Sequence, residues 1–204
     1  LEDFGDDTYT RILNRLDAEA KQQQEQDLYE AAVDLLADWY LKRSKLVDPA
    51  EFTPGNYNVR ALLREVSLFA EWYLPQVLGK EKAMELFDEY IGIWQTLIEE
   101  AHLSNDVFVH RDYHADNLMW LPERQGIKRV GLLDFQDGLY GDPAYDMVSL
   151  LEDARRDVPK QIVQHAIMGY LYATKLNADD FKTAYAVLGA QRNSKIIGIF
   201  VRLA

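Results

Sequence analysis

Between residues 107 and 133 the chain changes its texture, and this stretch limits the fold more than any other. It holds three short β-type runs: Val107-Phe108-Val109, Leu118-Met119-Trp120-Leu121, and residues 127–133, where Val130, Leu132 and Leu133 suit burial. Pro122 to Gly126 reads as the turn between the last two. On both sides apolar residues recur at helical period. Upstream, helices are expected over residues 9–16, 28–46, 59–77 and 82–102, with a loop at 48–57 that carries Pro49, Pro54 and Gly55. Downstream, they are expected over 144–152, 159–174, 179–188 and 193–203. The aromatic residues of these helices fall at helical spacing and read as core. The polar run Lys21 to Gln26 reads as a solvated helix end or linker. Strands that do not alternate with long helices argue against a doubly wound sheet. No period of 20 to 50 residues repeats, which excludes a solenoid. The expected class is α+β, mostly α, with a small β element at about 107–134 between two helical blocks.

Composition removes several chemistries. There is no cysteine among the 204 residues, so disulfides, thiolate metal sites and a cysteine nucleophile are out. The four histidines lack zinc-ligand spacing. The 34 acidic residues outnumber the 22 basic ones, for a net charge of −12. No basic stripe offsets this excess, which speaks against nucleic acid as a partner. No apolar run reaches the roughly 18 residues of a membrane span. Leu1-Glu2-Asp3-Phe4 has no secretory signal pattern. A cytoplasmic location is the expectation.

The chemistry sits on the β element. Between its first two runs lies His110-Arg111-Asp112-Tyr113-His114-Ala115-Asp116-Asn117, which fits H-R-D-x-x-x-x-N, the catalytic-loop pattern of protein kinases. At the end of the third run comes Leu133-Asp134-Phe135-Gln136-Asp137, similar to the kinase D-F-G segment with Gln136 in place of glycine. Phosphoryl transfer needs an acceptor hydroxyl held in line with the γ-phosphate and cations that neutralise developing charge. Asp112 can accept the hydroxyl proton. Asn117 returns to the same place with a neutral amide oxygen, and Asp134 brings an anionic one from the neighbouring strand. An amide oxygen and a carboxylate, completed by phosphates and water, suit Mg²⁺.

The wider sequence resembles the aminoglycoside phosphotransferase/choline kinase family, the small-molecule branch of the protein kinase-like fold. Gly141-Asp142-Pro143-Ala144-Tyr145-Asp146 is similar to that family's G-x-P-x-x-D segment. The resemblance implies that Asp146 braces the catalytic loop, with His110 and Arg111 as further structural residues. His110 is expected to pack and hydrogen-bond, and Arg111 to neutralise a nearby acid such as Asp146. Residues 1–6, 68–74, 109–118, 131–137, 149–155 and 189–193 resemble bacterial kinases that phosphorylate the anomeric hydroxyl of N-acetylmuramate and N-acetylglucosamine in cell-wall recycling. That implies ATP and Mg²⁺ as cofactors and a small sugar as acceptor. Tyr113, His114, Asp137, Glu71, Arg192 and Asn193 are candidate acceptor contacts. Glu2, Asp3 and Phe4 would form a hinge that meets the adenine through its backbone. Such kinases also have an N-terminal lobe, of which these residues carry no recognisable part. The expectation is a hinge remnant at 1–6 and a kinase-like C-terminal lobe at 7–204. An aminoglycoside, choline or homoserine kinase of the same family, and a non-catalytic binding module derived from a kinase, stand as alternatives.

Overall fold

The computed structural model describes residues 3–43 and 54–204. Helix α1 (Tyr9–Arg15) starts at Thr8, whose side-chain oxygen accepts the Arg11 N–H. Helix α2 (Ala18–Lys42) starts in the same way at Asp17, which accepts from Ala20. The polar run Lys21 to Gln26 is not a linker: it forms the N-terminal turns of α2 after the first. Glu25 in that run is buried and pairs with Arg156. The cap at Asp17 and straight-chain residues of good helix propensity extend the helix backwards through a run with few apolar positions.

Asn58 caps α3 (Val59–Leu68). The single helix expected over 59–77 is interrupted. Residues Phe69–Tyr73 form a π-helical turn, and α4 (Leu74–Leu78) follows with Pro75 in its first turn. The Leu74 N–H reaches back to the Phe69 carbonyl, one residue further than in an α-helix. Pro75 has no N–H and its ring crowds the carbonyl four residues before it, so a widened turn ahead of it keeps the chain helical. Helix α5 (Lys80–Glu100) begins after Gly79.

Four three-residue strands follow: β1 (Val107–Val109), β2 (Leu118–Trp120), β3 (Val130–Leu132) and β4 (Leu139–Gly141). They form two antiparallel pairs, β1 with β4 and β2 with β3. The run expected as a strand over 127–133 is a strand only from Val130, because Gly126–Arg129 is a 3₁₀ turn. β4 carries too few residues and too much glycine to announce itself in the sequence. The described part of the 48–57 loop is tied to β4, where Tyr57 N–H donates to the Tyr140 carbonyl at 2.7 Å.

Helices α6 (Ala144–Leu151), α7 (Lys160–Thr174) and α8 (Ala178–Leu203) complete the chain. α8 is one helix, where two were expected. Gly189 and the polar Gln191, Arg192 and Asn193 resemble a break, but Gly189, Gln191 and Arg192 are buried and packing holds the helix through them. All eight residues of α6 are buried, so it is the axis of the fold and carries Asp146 in its interior. α6 packs on α8, α8 on α3, and α2 on α7. Among the described residues no helix is long and apolar enough to cross a membrane.

Candidate active site

The loop between β1 and β2 is built from within. His114 N–H donates to the Asp112 carbonyl at 3.1 Å, and Asn117 N–H donates to the His114 carbonyl at 2.9 Å. The Asn117 side-chain amide donates to the Asp112 carbonyl at 3.0 Å. Tyr113 is fully buried and its hydroxyl donates to the Ala32 carbonyl at 2.8 Å, which pins the loop to α2. A side chain so enclosed and already hydrogen-bonded is a core anchor, so Tyr113 does not serve as an acceptor contact. Its neighbour Asp112 is exposed. The loop thus holds Tyr113 inside and presents the Asp112 carboxylate outside.

Asp146 holds the base of the loop. One carboxylate oxygen accepts the His110 N–H at 2.6 Å and the other the Arg111 N–H at 3.0 Å. Burial pushes the Asp146 carboxyl above its usual range despite these two donors and nearby His110. The His110 ring uses Nε2 toward the Leu133 carbonyl at 2.8 Å, a contact that makes Nε2 the protonated nitrogen and joins the loop to the end of β3.

Arg111 has φ of 75°, a left-handed conformation that costs a non-glycine residue about 1–3 kcal/mol. Its side chain turns away from Asp146, contrary to the pairing expected from the sequence. It meets Glu65 at 2.5 Å, donates to the Asp137 carbonyl at 3.1 Å and lies over the Tyr57 ring. Both Asp146 oxygens are already occupied by backbone N–H groups, which leaves Glu65 as the partner. Glu65 also takes Lys195 at 2.9 Å, the Gln191 amide at 3.2 Å and the Tyr57 hydroxyl. Burial alone would raise the Glu65 carboxyl, but Lys195, Tyr57 and Arg111 outweigh it and hold it below the usual range. Sequence reasoning missed this hub because its members are spread from residue 57 to residue 195. The signal available was a lone acid in α3 and Lys195 among the apolar residues of the second half of α8.

Asn117 and Asp134 come together through the sheet. The Leu133 N–H donates to the Asn117 carbonyl at 3.0 Å, so Asn117 and Asp134 stand at the same end of the β2–β3 pair. Asp134 is exposed and left-handed at φ 56°. The Asn117 amide nitrogen is spent on the loop, so its oxygen is the atom that could meet a cation. A neutral and an anionic oxygen fit Mg²⁺, which commonly takes one or two protein ligands beside phosphate and water. Among the described residues no cluster of three or more acids or histidines forms a ready-made metal cage.

The remaining candidates fall in different places. Asp137 is exposed one 3₁₀ turn (Phe135–Asp137) beyond Asp134. His114 is buried in the loop, where burial and then Arg155 push its pKa down and favour the neutral ring. Glu71 is exposed on the π turn and accepts from Ser67. Asn193 is exposed and its amide reaches Glu152 at 3.5 Å. Neither lines the pocket beside Asp112. Asp3 caps its own turn by accepting from Gly5, and the Phe4 ring lies on β3 where a Cβ at Gly131 would come within 2.9 Å of it. Glu2 lies outside the described residues.

A pocket beside Asp112 is lined by Tyr145, Arg155, Arg192, Lys195 and Phe200. Of the candidate acceptor contacts it contains Arg192, which is only 3% exposed. A larger cavity of about 440 Å³ at His102, Asp142 and Asp180 contains no residue of the catalytic-type loop.

A braced loop with an exposed aspartate, and two side-chain oxygens on the adjoining strand ends, is an arrangement that could serve phosphoryl transfer. The family model of the phosphotransferase enzyme family (APH) matches residues 7–181, and the chain belongs to that family. It is 38% identical to an N-acetylmuramate/N-acetylglucosamine kinase of Caulobacter vibrioides, over the whole of this chain and 55% of that protein. It is 34% and 33% identical to proteins of the same name from Pseudomonas aeruginosa and Pseudomonas putida, over the whole of this chain and 57% of each. The chain spans about half the length of the curated relatives it matches.

Proposed function

We propose that the protein carrying this chain is an ATP-dependent sugar kinase that phosphorylates the anomeric hydroxyl of N-acetylmuramate and N-acetylglucosamine. The observation that carries this reading is the exposed Asp112, on a loop fixed by Asp146 and Tyr113, beside Asn117 and Asp134 at one strand edge. The names of the relatives support the choice of sugar. Residues 7–204 form the C-terminal lobe of the kinase-like fold, and residues 1–6 the hinge that meets the adenine. The protein works in the cytoplasm.

Asp112 orients the acceptor hydroxyl and takes its proton as the oxygen–phosphorus bond forms. An anomeric hydroxyl is more acidic than an ordinary alcohol, so a carboxylate of modest basicity serves. Asn117 Oδ1 and the Asp134 carboxylate would hold Mg²⁺, which would supply positive charge against the phosphates. His110 and Asp146 keep the Asp112 backbone in place, and neutral His114 lines the loop without adding charge. The arginines and lysine around the pocket disfavour a cationic acceptor such as an aminoglycoside or choline.

The test is an ATP-consumption assay of the full-length protein against N-acetylmuramate, N-acetylglucosamine, an aminoglycoside, choline and homoserine. Turnover with the two amino sugars, with phosphate at the anomeric oxygen, is expected. Turnover confined to another acceptor, or none alongside absent nucleotide binding, overturns the proposal.

A further inference from the structure

The pocket beside Asp112 contains a cation that has no counter-ion among the described residues. Arg192 sits on α8, buried, and among the described residues no carboxylate lies within ion-pair distance of its guanidinium. Its Nη1 is enclosed and has no hydrogen-bond acceptor. The other cations nearby are already engaged. Lys195 is held by Glu65, and Arg155 shares Asp153 and Asp116 at 3.6 Å each. Burying a guanidinium and leaving a donor unpaired costs free energy, so a fold that keeps it there gains where an anion enters. The carboxylate that feels the Arg192 charge, Asp146, is committed to the loop amides.

The wall of the pocket adds a second constraint. Ile196, Ile199 and Phe200 lie along α8 beside Arg192, so the space pairs a cation with an apolar surface. At about 110 Å³ it is a small space, suited to a substituent of the acceptor. The two sugars of the proposed function differ by one group of this kind. N-acetylmuramate is N-acetylglucosamine with a lactyl ether at O3, which has a methyl and a carboxylate.

We infer that Arg192, assisted by Arg155, is the specificity determinant for an acidic acceptor, pairing with the lactyl carboxylate while Ile196, Ile199 and Phe200 receive its methyl. This rests on the proposed sugar-kinase function and assigns one of its two substrates to named residues. Asp112 then faces the anomeric end of the ring and Arg192 the O3 substituent. N-acetylglucosamine binds the same place without using the cation. A charge-assisted contact of this sort changes affinity by roughly 10–100-fold.

The experiment measures kcat/KM of the full-length protein for both sugars, in the wild type, Arg192→Gln and Arg192→Lys. Arg192→Gln is expected to lower kcat/KM for N-acetylmuramate at least 10-fold more than for N-acetylglucosamine, mainly through KM, and Arg192→Lys to recover part of the difference. Equal losses with both sugars would assign Arg192 to the transferred phosphoryl group or to the fold, and overturn the inference. If Arg192→Gln does not fold, Arg155→Gln at the half-exposed rim must move the ratio in the same direction. The wild type gives an independent reading: N-acetylmuramate methyl ester should show a KM at least 10-fold above that of the acid, and an unchanged KM overturns the inference. A wild type that phosphorylates both sugars with no such discrimination defeats this inference alone. One that phosphorylates neither defeats the sugar-kinase reading itself.

Discussion

Asp146 takes the backbone N–H of His110 at 2.6 Å from inside a fully buried helix, and with its other oxygen it takes the next N–H of the same loop. The geometry makes a core residue the fixed point for an exposed one two positions further on, Asp112. Asparagine at 146 would turn an NH₂ toward one of the two donors. Asp146→Asn is expected to lower kcat about 10–100-fold, because small misplacements of a reacting group cost that much. Nucleotide affinity should change little. Steady-state kinetics and nucleotide titration check this, and a kcat within threefold of wild type would contradict the brace.

Glu65 ties α3 to Arg111 of the loop and to Lys195 of α8. Its carboxyl lies below its usual range in the folded protein and titrates near pH 4.3 unfolded. The native state therefore binds fewer protons across this interval. The stability Glu65 contributes is present above about pH 4.3 and is lost as pH falls through its native pKa. Glu65→Gln leaves two largely buried cations short of a partner and should cost about 3 kcal/mol at pH 7. The difference in Tm from wild type should shrink toward pH 3. A difference that stays constant from pH 7 to pH 3 would show that the carboxylate charge is not what holds the hub.

Gly198 sits in α8 where it crosses α3, and a Cβ there would collide with the backbone of Leu68 and Phe69. On helix propensity alone Gly198→Ala should stabilise by about 1 kcal/mol. The collision reverses the sign, and forcing atoms into a closed contact costs about 1–3 kcal/mol. Denaturant unfolding should show a net loss for Gly198→Ala, whereas Gly169→Ala, where a Cβ meets nothing within 4 Å, should be neutral or stabilising. Stabilisation by Gly198→Ala would contradict the close crossing.

The pattern of short β runs between helical blocks, and the loop and strand-end motifs on them, were legible because their members are near neighbours in the chain. Asp112, Asn117 and Asp134 lie within 23 positions and one hairpin. Glu65, Lys195, Tyr57 and Gln191 were not legible as a group, because only the packing of α3 on α8 brings them to Arg111. Arg192 was visible as a polar residue in an apolar helix. That it has no ion-pair partner among the described residues depends on where Asp146 points, which only the packing of α6 and α8 decides. The boundaries that were misjudged follow a similar division. Asp17 and the buried pair Glu25–Arg156 extend α2 through a polar run, and Pro75 forces a π turn that apolar periodicity cannot register.

The central claim is that Asp112 activates the acceptor hydroxyl. The measurement that tests it most directly is single-turnover phosphorylation of N-acetylglucosamine by the full-length protein and its Asp112→Asn variant, with nucleotide affinity measured in parallel. Loss of the catalytic base is expected to slow phosphoryl transfer about 10²–10⁴-fold, while nucleotide affinity stays within a few-fold of wild type. Transfer by Asp112→Asn at a rate within tenfold of wild type would contradict the account.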